Sequence, residues 1–133
     1  MLYLWVAIGG AIGSVARFWF GNVVAATLGA AFPWGTLMIN VLGSFVISFF
    51  SGLTGMGHRF ALPSDARIFV IVGVCGGFTT FSSFSLQTVE LARSGQTGRA
   101  ALYVAASMII CLAACAFGVW AASAINQQAL SRA

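Results

Sequence analysis

The sequence predicts an all-α membrane protein: one domain of four transmembrane helices, the third broken near the bilayer midplane. Three observations lead there. Of 133 residues, 60% are hydrophobic and only 6% charged, against roughly 25% charged in soluble domains, so a water-exposed surface cannot be covered. Four stretches reach the length of about 20 apolar residues needed to cross the hydrocarbon core. The third has Gly76-Gly77-Phe78-Thr79-Thr80 at its centre, where two glycines and two β-branched residues weaken a helix. A mean hydropathy of +1.00 agrees.

The first span runs over 2–28. It follows no basic leader and reads as a retained segment rather than a cleaved signal. Gly9, Gly10 and Gly13 give it one small-residue face. The second, 33–54, opens on Pro33, a favoured first helical position. A loop through His58 and Arg59 leads to the third, 64–92, with Ser64 as its expected N-cap. The turn Ser94-Gly95-Gln96-Thr97-Gly98 precedes the fourth, 98–125. Trp5, Trp34 and Trp120 fall towards span ends, as interfacial anchors do. Cys75, Cys111 and Cys115 lie in apolar runs and read as small packing residues rather than a disulfide or zinc framework.

Every cation is an arginine: Arg17, Arg59, Arg67, Arg93, Arg99 and Arg132, against Asp65 and Glu90. They form no stripe, so the isoelectric point near 9.6 does not indicate a nucleic-acid partner. Four spans put both termini on one side, with Arg59, Arg67, Arg132, His58 and Asp65. The opposite side has Arg93, Arg99 and Glu90. Orientation follows excess arginine and lysine in short cytoplasmic loops, and three against two is little instruction. Two outcomes stay open: insertion both ways, which permits an antiparallel dual-topology homodimer, or one orientation through a weak bias.

Polar groups within the spans carry the functional reading. Residue 78 is the midpoint of the third span. Unwinding there would free backbone groups that lipid cannot satisfy, and such backbone is tolerated only when buried in protein or lining a cavity. Discontinuous helices at the midplane are a recurring way to build ion sites. The competing reading is an intact helix whose glycines serve close packing. Phe81 and Phe84 follow three apart, ordinarily core or lipid-facing residues, yet with ring edges positive enough to face an anion. Thr36, Asn40, Ser44 and Ser48 form a stripe on the second span, and Tyr103, Ser107 and Cys111 one on the fourth. Each stripe serves either as helix–helix glue or as a polar track.

Arg17 lies about 22 Å along the first helix at 1.5 Å per residue, where burial in lipid costs roughly 2.5–3.5 kcal/mol. A water-filled vestibule would relieve that cost and attract anions. The first two spans have no Asp or Glu, and Glu90 is near a span end, which disfavours a cation path or proton-coupled export. His58, the single histidine, has no credible nucleophile partner, so catalysis is not expected.

Three segments together resemble the Fluc (CrcB) family of fluoride channels: Gly9-Gly10-Ala11-Ile12-Gly13-Ser14-Val15-Ala16-Arg17, then Trp34 through Phe45 with Asn40 at its centre, then Gly73 through Ser85 with Gly76-Gly77-Phe78-Thr79-Thr80-Phe81-Ser82-Ser83-Phe84. The resemblance covers nearly the whole chain. It implies an antiparallel dual-topology homodimer with two pores, passively exporting fluoride across the inner membrane of a bacterium. Phe81 and Phe84 would be pore-facing aromatics and Asn40 a fluoride ligand. Thr36, Tyr103 and Ser107 would extend the polar track, with Arg17 beside the aqueous vestibule. A structural sodium ion would sit on the dimer axis, held by the carbonyls of Gly76 and Thr79. Two positions depart from the family pattern: Cys111, where Ser or Thr is common, and Gln87, where Glu is common. The alternatives are a small dual-topology multidrug exporter, which needs an intramembrane carboxylate, and a non-conducting assembly subunit.

Overall fold

A computed structural model of the chain describes residues 1–56 and 60–130, which are helical apart from short connections. His58, Arg59 and Arg132 lie outside the described residues. Helix α1 spans Leu2–Leu28 and α2 spans Trp34–Leu53. The third span is two helices. Its first half, α3, joins a turn Ser64–Ile68, a π-helical stretch Phe69–Cys75 and a last turn Gly76–Phe78; its second half, α4, is Phe81–Arg93. Helix α5 spans Thr97–Leu130. All four spans are long and apolar enough to cross a membrane.

Several ends differ from the sequence expectation. Pro33 stands before α2 with ψ 55°, outside helical geometry, so Trp34 is the first helical residue. Ser64 is itself helical and Pro63 precedes it; the Ser64 hydroxyl bonds the Asp65 carboxylate at 3.3 Å instead of capping a backbone amide. Helix α5 runs on past residue 125, because Asn126-Gln127-Gln128 end the apolar run without ending the helix. Its 34 residues rise about 50 Å against a hydrocarbon core of about 30 Å, so one end projects beyond the lipid.

Glycines decide which helices touch. A Cβ on Gly9 would sit 2.6 Å from the Phe69 carbonyl oxygen and 2.9 Å from the Gly73 Cα. One on Gly13 would strike the Val74 carbonyl and lie 2.8 Å from the Phe78 nitrogen. One on Gly77 would stand 2.5 Å from the Gly10 carbonyl oxygen. Helices α1 and α3 therefore meet backbone to backbone, which only small residues permit. The α2–α5 interface repeats the device: a Cβ on Gly118 would hit the Ser48 hydroxyl, and one on Gly52 would come 2.9 Å from the Ala122 Cβ. Near the end of that seam the Asn126 amide donates to the Gly52 carbonyl at 3.1 Å.

The usual inside-out order of side chains is inverted. Phe18, Trp19, Ile109 and Leu112 are exposed, as are Trp5, Trp34 and Trp120, while small residues fill the seams. Lipid tails are as apolar as leucine, so burying large side chains gains little and close backbone packing gains more. Among the described residues, the one buried cluster of large residues is Leu37, Phe84 and Tyr103, with Phe32, Val41 and Leu91 against it. It lies where α2, α4 and α5 meet, beside the helix break.

Gly13→Ala should destabilise the fold by about 1–3 kcal/mol, the usual cost of overpacking a close contact. Gly10→Ala should be near neutral, because a Cβ there meets nothing within 4 Å. Thermal unfolding in detergent, followed by tryptophan fluorescence, distinguishes the two; equal midpoints would remove the close-packed seam as a source of stability.

Candidate functional site

The third span breaks at Thr79 and Thr80, two residues later than the paired glycines. Gly76 is helical at φ −64° and ψ −37°. Thr79 is extended at ψ 159°, and Thr80 at φ −154° and ψ 110°. Within the stretch expected to break, the residues divide: Gly77 serves α1–α3 packing, and the β-branched threonines interrupt the helix. The span is therefore not an intact helix, although its glycines do serve close packing.

The backbone groups released by the break can be followed one by one. Thr79 keeps one link to the helix behind it, with its amide and its hydroxyl both donating to the Cys75 carbonyl at 3.0 Å. The Thr80 amide, which would bond the Gly76 carbonyl in an unbroken helix, donates instead to Asn40 Oδ1 at 2.9 Å. Asn40 Nδ2 returns a bond to the Thr80 carbonyl at 3.1 Å. The Ser83 amide, which would bond the Thr79 carbonyl, is taken by the Thr80 hydroxyl at 3.2 Å, making Thr80 the N-cap of α4. The carbonyls of Gly76 and Thr79 are thereby left without their helical donors.

Thr79 reaches this position because α2 has a glycine opposite: a Cβ on Gly43 would collide with the Thr79 methyl group. The break opens onto a cavity of about 280 Å³ between α2, α4 and α5. Asn40, Thr79, Thr80, Phe81, Phe84 and Ser107 are in its wall, together with Gly43, Ser44, Ile47, Met108 and Cys111. The two phenyl rings are 5.4 Å apart, Phe84 8% exposed and Phe81 73% exposed. The Ser107 hydroxyl is buried without a hydrogen-bond partner.

Of the residues singled out in the sequence, Phe81, Phe84, Asn40 and Ser107 thus share one cavity with Thr79. Thr36 is buried and lines a second cavity of about 270 Å³, shared with Gly35, Phe32 and Gln87. Tyr103 touches both walls. Fully buried, it packs on Phe84 with centroids 5.1 Å apart and donates its hydroxyl to Gln87 Oε1 at 3.0 Å. Gln87 therefore holds the tyrosine. Gly76 is exposed one turn before the break. Arg17 stands apart: half-buried on α1, it lines neither cavity and makes no hydrogen bond among the described residues.

The stripes divide in the same way. Ser48 bonds back to the Ser44 and Phe45 carbonyls at 2.8 and 3.0 Å, so it belongs to packing, whereas Ser44 faces the cavity. Cys111, read both as a packing residue and as a member of the stripe on the fourth span, is half-buried in the cavity wall; Cys75 is buried. Sequence reasoning missed Thr80 as a cap, although a threonine three residues before Ser83 at a helix start was a usable signal. Met108 gave none, since its apolar type and exposure match a lipid-facing residue.

Fold and site together define a multi-pass membrane protein whose broken span borders a partly polar cavity. The chain belongs to the CrcB family: residues 4–119 match the family described as CrcB-like protein, Camphor Resistance (CrcB). It is 54% identical over 127 residues to a protein of Methylocella silvestris, covering 96% of this chain and 97% of that one. It is 52% identical over 120 residues to one of Rhodospirillum rubrum, covering 90% of each. A protein of Opitutus terrae is 52% identical over 125 residues, with 94% and 95% covered. All three relatives are named fluoride-specific ion channel FluC. The family is one of ion channels, and the chain is not an enzyme.

Asn40→Ala would leave the Thr80 amide and carbonyl unpaired, at about 1–3 kcal/mol for each buried group. The expected result is a lower unfolding midpoint and faster hydrogen exchange at the Thr80 amide. Unchanged exchange there would show that the break does not depend on Asn40.

Proposed function

We propose that this chain is a fluoride-selective channel, letting fluoride leave the bacterial cytoplasm passively across the inner membrane as an antiparallel, dual-topology homodimer with two pores. Membership of the family and the names of its relatives support fluoride as the permeating ion. The single observation that carries the reading is the cavity at the break, where Asn40, Ser107, Phe81 and Phe84 come together. Fluoride holds its water strongly, so a narrow path must replace that water with donors. The Ser107 hydroxyl has none of its bonding capacity used, and the second hydrogen of the Asn40 amide is not needed by Thr80. Phenyl edges attract an anion electrostatically without offering a proton that would hold it. The larger chloride would meet the same rings as a steric barrier.

The exposure of Phe81 supports the dimer. One protomer leaves most of that ring uncovered, and a second copy would complete the wall around it. The near balance of arginines permits the inverted copy. Thr36, Tyr103 and Gln87 would continue the path beyond Phe84, and Arg17 would draw anions towards a vestibule. The exporter alternative finds no support at the cavity, because neither Asp65 nor Glu90 lines it.

A sodium ion is compatible with the same geometry. Sodium is a hard cation that takes oxygen ligands, and the carbonyls of Gly76 and Thr79 are among those that the break deprives of their helical donors, the Thr80 and Ser83 amides being taken by Asn40 and by Thr80. Gly76 is exposed, as a group meeting its counterpart across a dimer axis would be. Bound there, the ion would supply a fixed positive charge between the two breaks.

Purified protein in liposomes should release fluoride, measured with a fluoride electrode, and negligible chloride. Phe81→Ile or Phe84→Ile should reduce the release to the protein-free background. Comparable chloride efflux, or full flux in both variants, would overturn the channel reading. The sodium reading has its own measurement: the unfolding midpoint in detergent should rise with sodium and not with N-methylglucamine at equal ionic strength, as ligand binding to the folded state requires.

A further inference from the structure

The cavity at the break has a sulfur-bearing wall that the fluoride reading does not use. Met108 and Cys111 stand three residues apart on α5, the spacing that puts two side chains on one helical face, and both line the cavity. Ser107, beside them on the same wall, is 6% exposed, with its hydroxyl oxygen buried and unpartnered. Neither Cys75 nor Cys115 lines this cavity. A thiol, a thioether and an unsatisfied hydroxyl thus converge on one space, with no carboxylate or imidazole among the lining residues.

We infer that Cys111 and Met108 form a capture site for a soft monovalent metal ion, with silver(I) as its simplest probe. Thiolate and thioether sulfur select soft ions such as copper(I) and silver(I) over hard ones. The step is a proton exchange with no change of oxidation state: the Cys111 S–H bond breaks, the sulfur binds the metal, and the proton leaves to water. The charge of the site is unchanged, because one cation replaces another. Met108 adds a second, neutral donor, matching the preference of these ions for few soft ligands. The captured metal occupies the space between Ser107 and the two phenyl rings. Resting on the fluoride reading for its consequence, this makes the channel sensitive to block by thiophilic metals, through a residue at which the chain departs from the family pattern.

The site and its consequence are tested separately. Purified protein is treated with silver nitrate in chloride-free buffer, desalted and assayed for retained silver by mass spectrometry. Wild type and Cys115→Ser should retain an ion that Cys111→Ser does not. Met108→Leu should weaken retention by about tenfold or more, at least the effect of losing an outer-shell partner at a metal site. Equal retention by Cys111→Ser, or loss only in Cys115→Ser, would overturn the site. In liposomes, silver should stop fluoride efflux from wild type while leaving Cys111→Ser at its own untreated rate. Silver retained at Cys111 without any effect on that efflux would overturn the block. Retention at Cys111 in a protein that shows no fluoride efflux before treatment would uphold the site and count against the channel reading alone.

Discussion

The reciprocal pair of hydrogen bonds between the Asn40 side chain and the Thr80 backbone is the contact on which the rest of the structure depends. A helix interrupted inside lipid exposes amides and carbonyls that have no water to turn to, and each unsatisfied group is costly. Asn40 meets one amide and one carbonyl at 2.9 and 3.1 Å. The Thr80 hydroxyl meets a further amide by capping α4. With those groups satisfied, the chain can turn extended for two residues and start a new helix, and the direction of that helix sets where Phe81 and Phe84 stand. The amide that would serve a permeating ion in the proposed function is thus the one that holds the break.

Close packing elsewhere gives the break its setting. Because Gly9, Gly13 and Gly77 bring α1 against α3 at backbone distance, the first half of the third span is held without large side chains. Gly43 removes the one methyl group that would push Thr79 away from α2. Helices α2 and α5 are in close contact at Gly52 and Gly118, and nearer the break the same two helices border a cavity rather than a filled core. Tyr103 backs the Phe84 wall of that cavity, fixed by its bond to Gln87 and its packing on Phe84. A glutamine accepts the tyrosine hydrogen bond without carrying a charge.

Much of this was legible in the residues. Length and hydropathy gave four spans to within a few residues at each end, because a bilayer imposes a minimum apolar length. The break was legible as a region, since threonines and glycines together weaken a helix, but its residue was not. Gly77, in a tightly packed seam, is held helical by its neighbours, while Thr80 is released by a partner 40 positions earlier in the chain. The end of α5 was misread for a related reason: loss of hydropathy marks the edge of lipid, not the end of a helix.

By itself, the sequence determined that the chain lives in a membrane, where its third span is weak enough to break, and, through three motifs, which family it resembles. These follow from composition and local order, which do not need the other helices. Tertiary structure alone decided which polar residues face a cavity and which serve packing. Ser44 and Ser48 lie one turn apart on the same stripe, yet Ser48 bonds to its own helix while Ser44 lines the space beside the break. Phe81 and Phe84 share a face three residues apart, yet one is exposed and the other buried against Tyr103. Periodicity fixes the face of a helix a residue occupies; what that face meets is set by how close the neighbouring backbone can come, and here glycines on other helices set that distance.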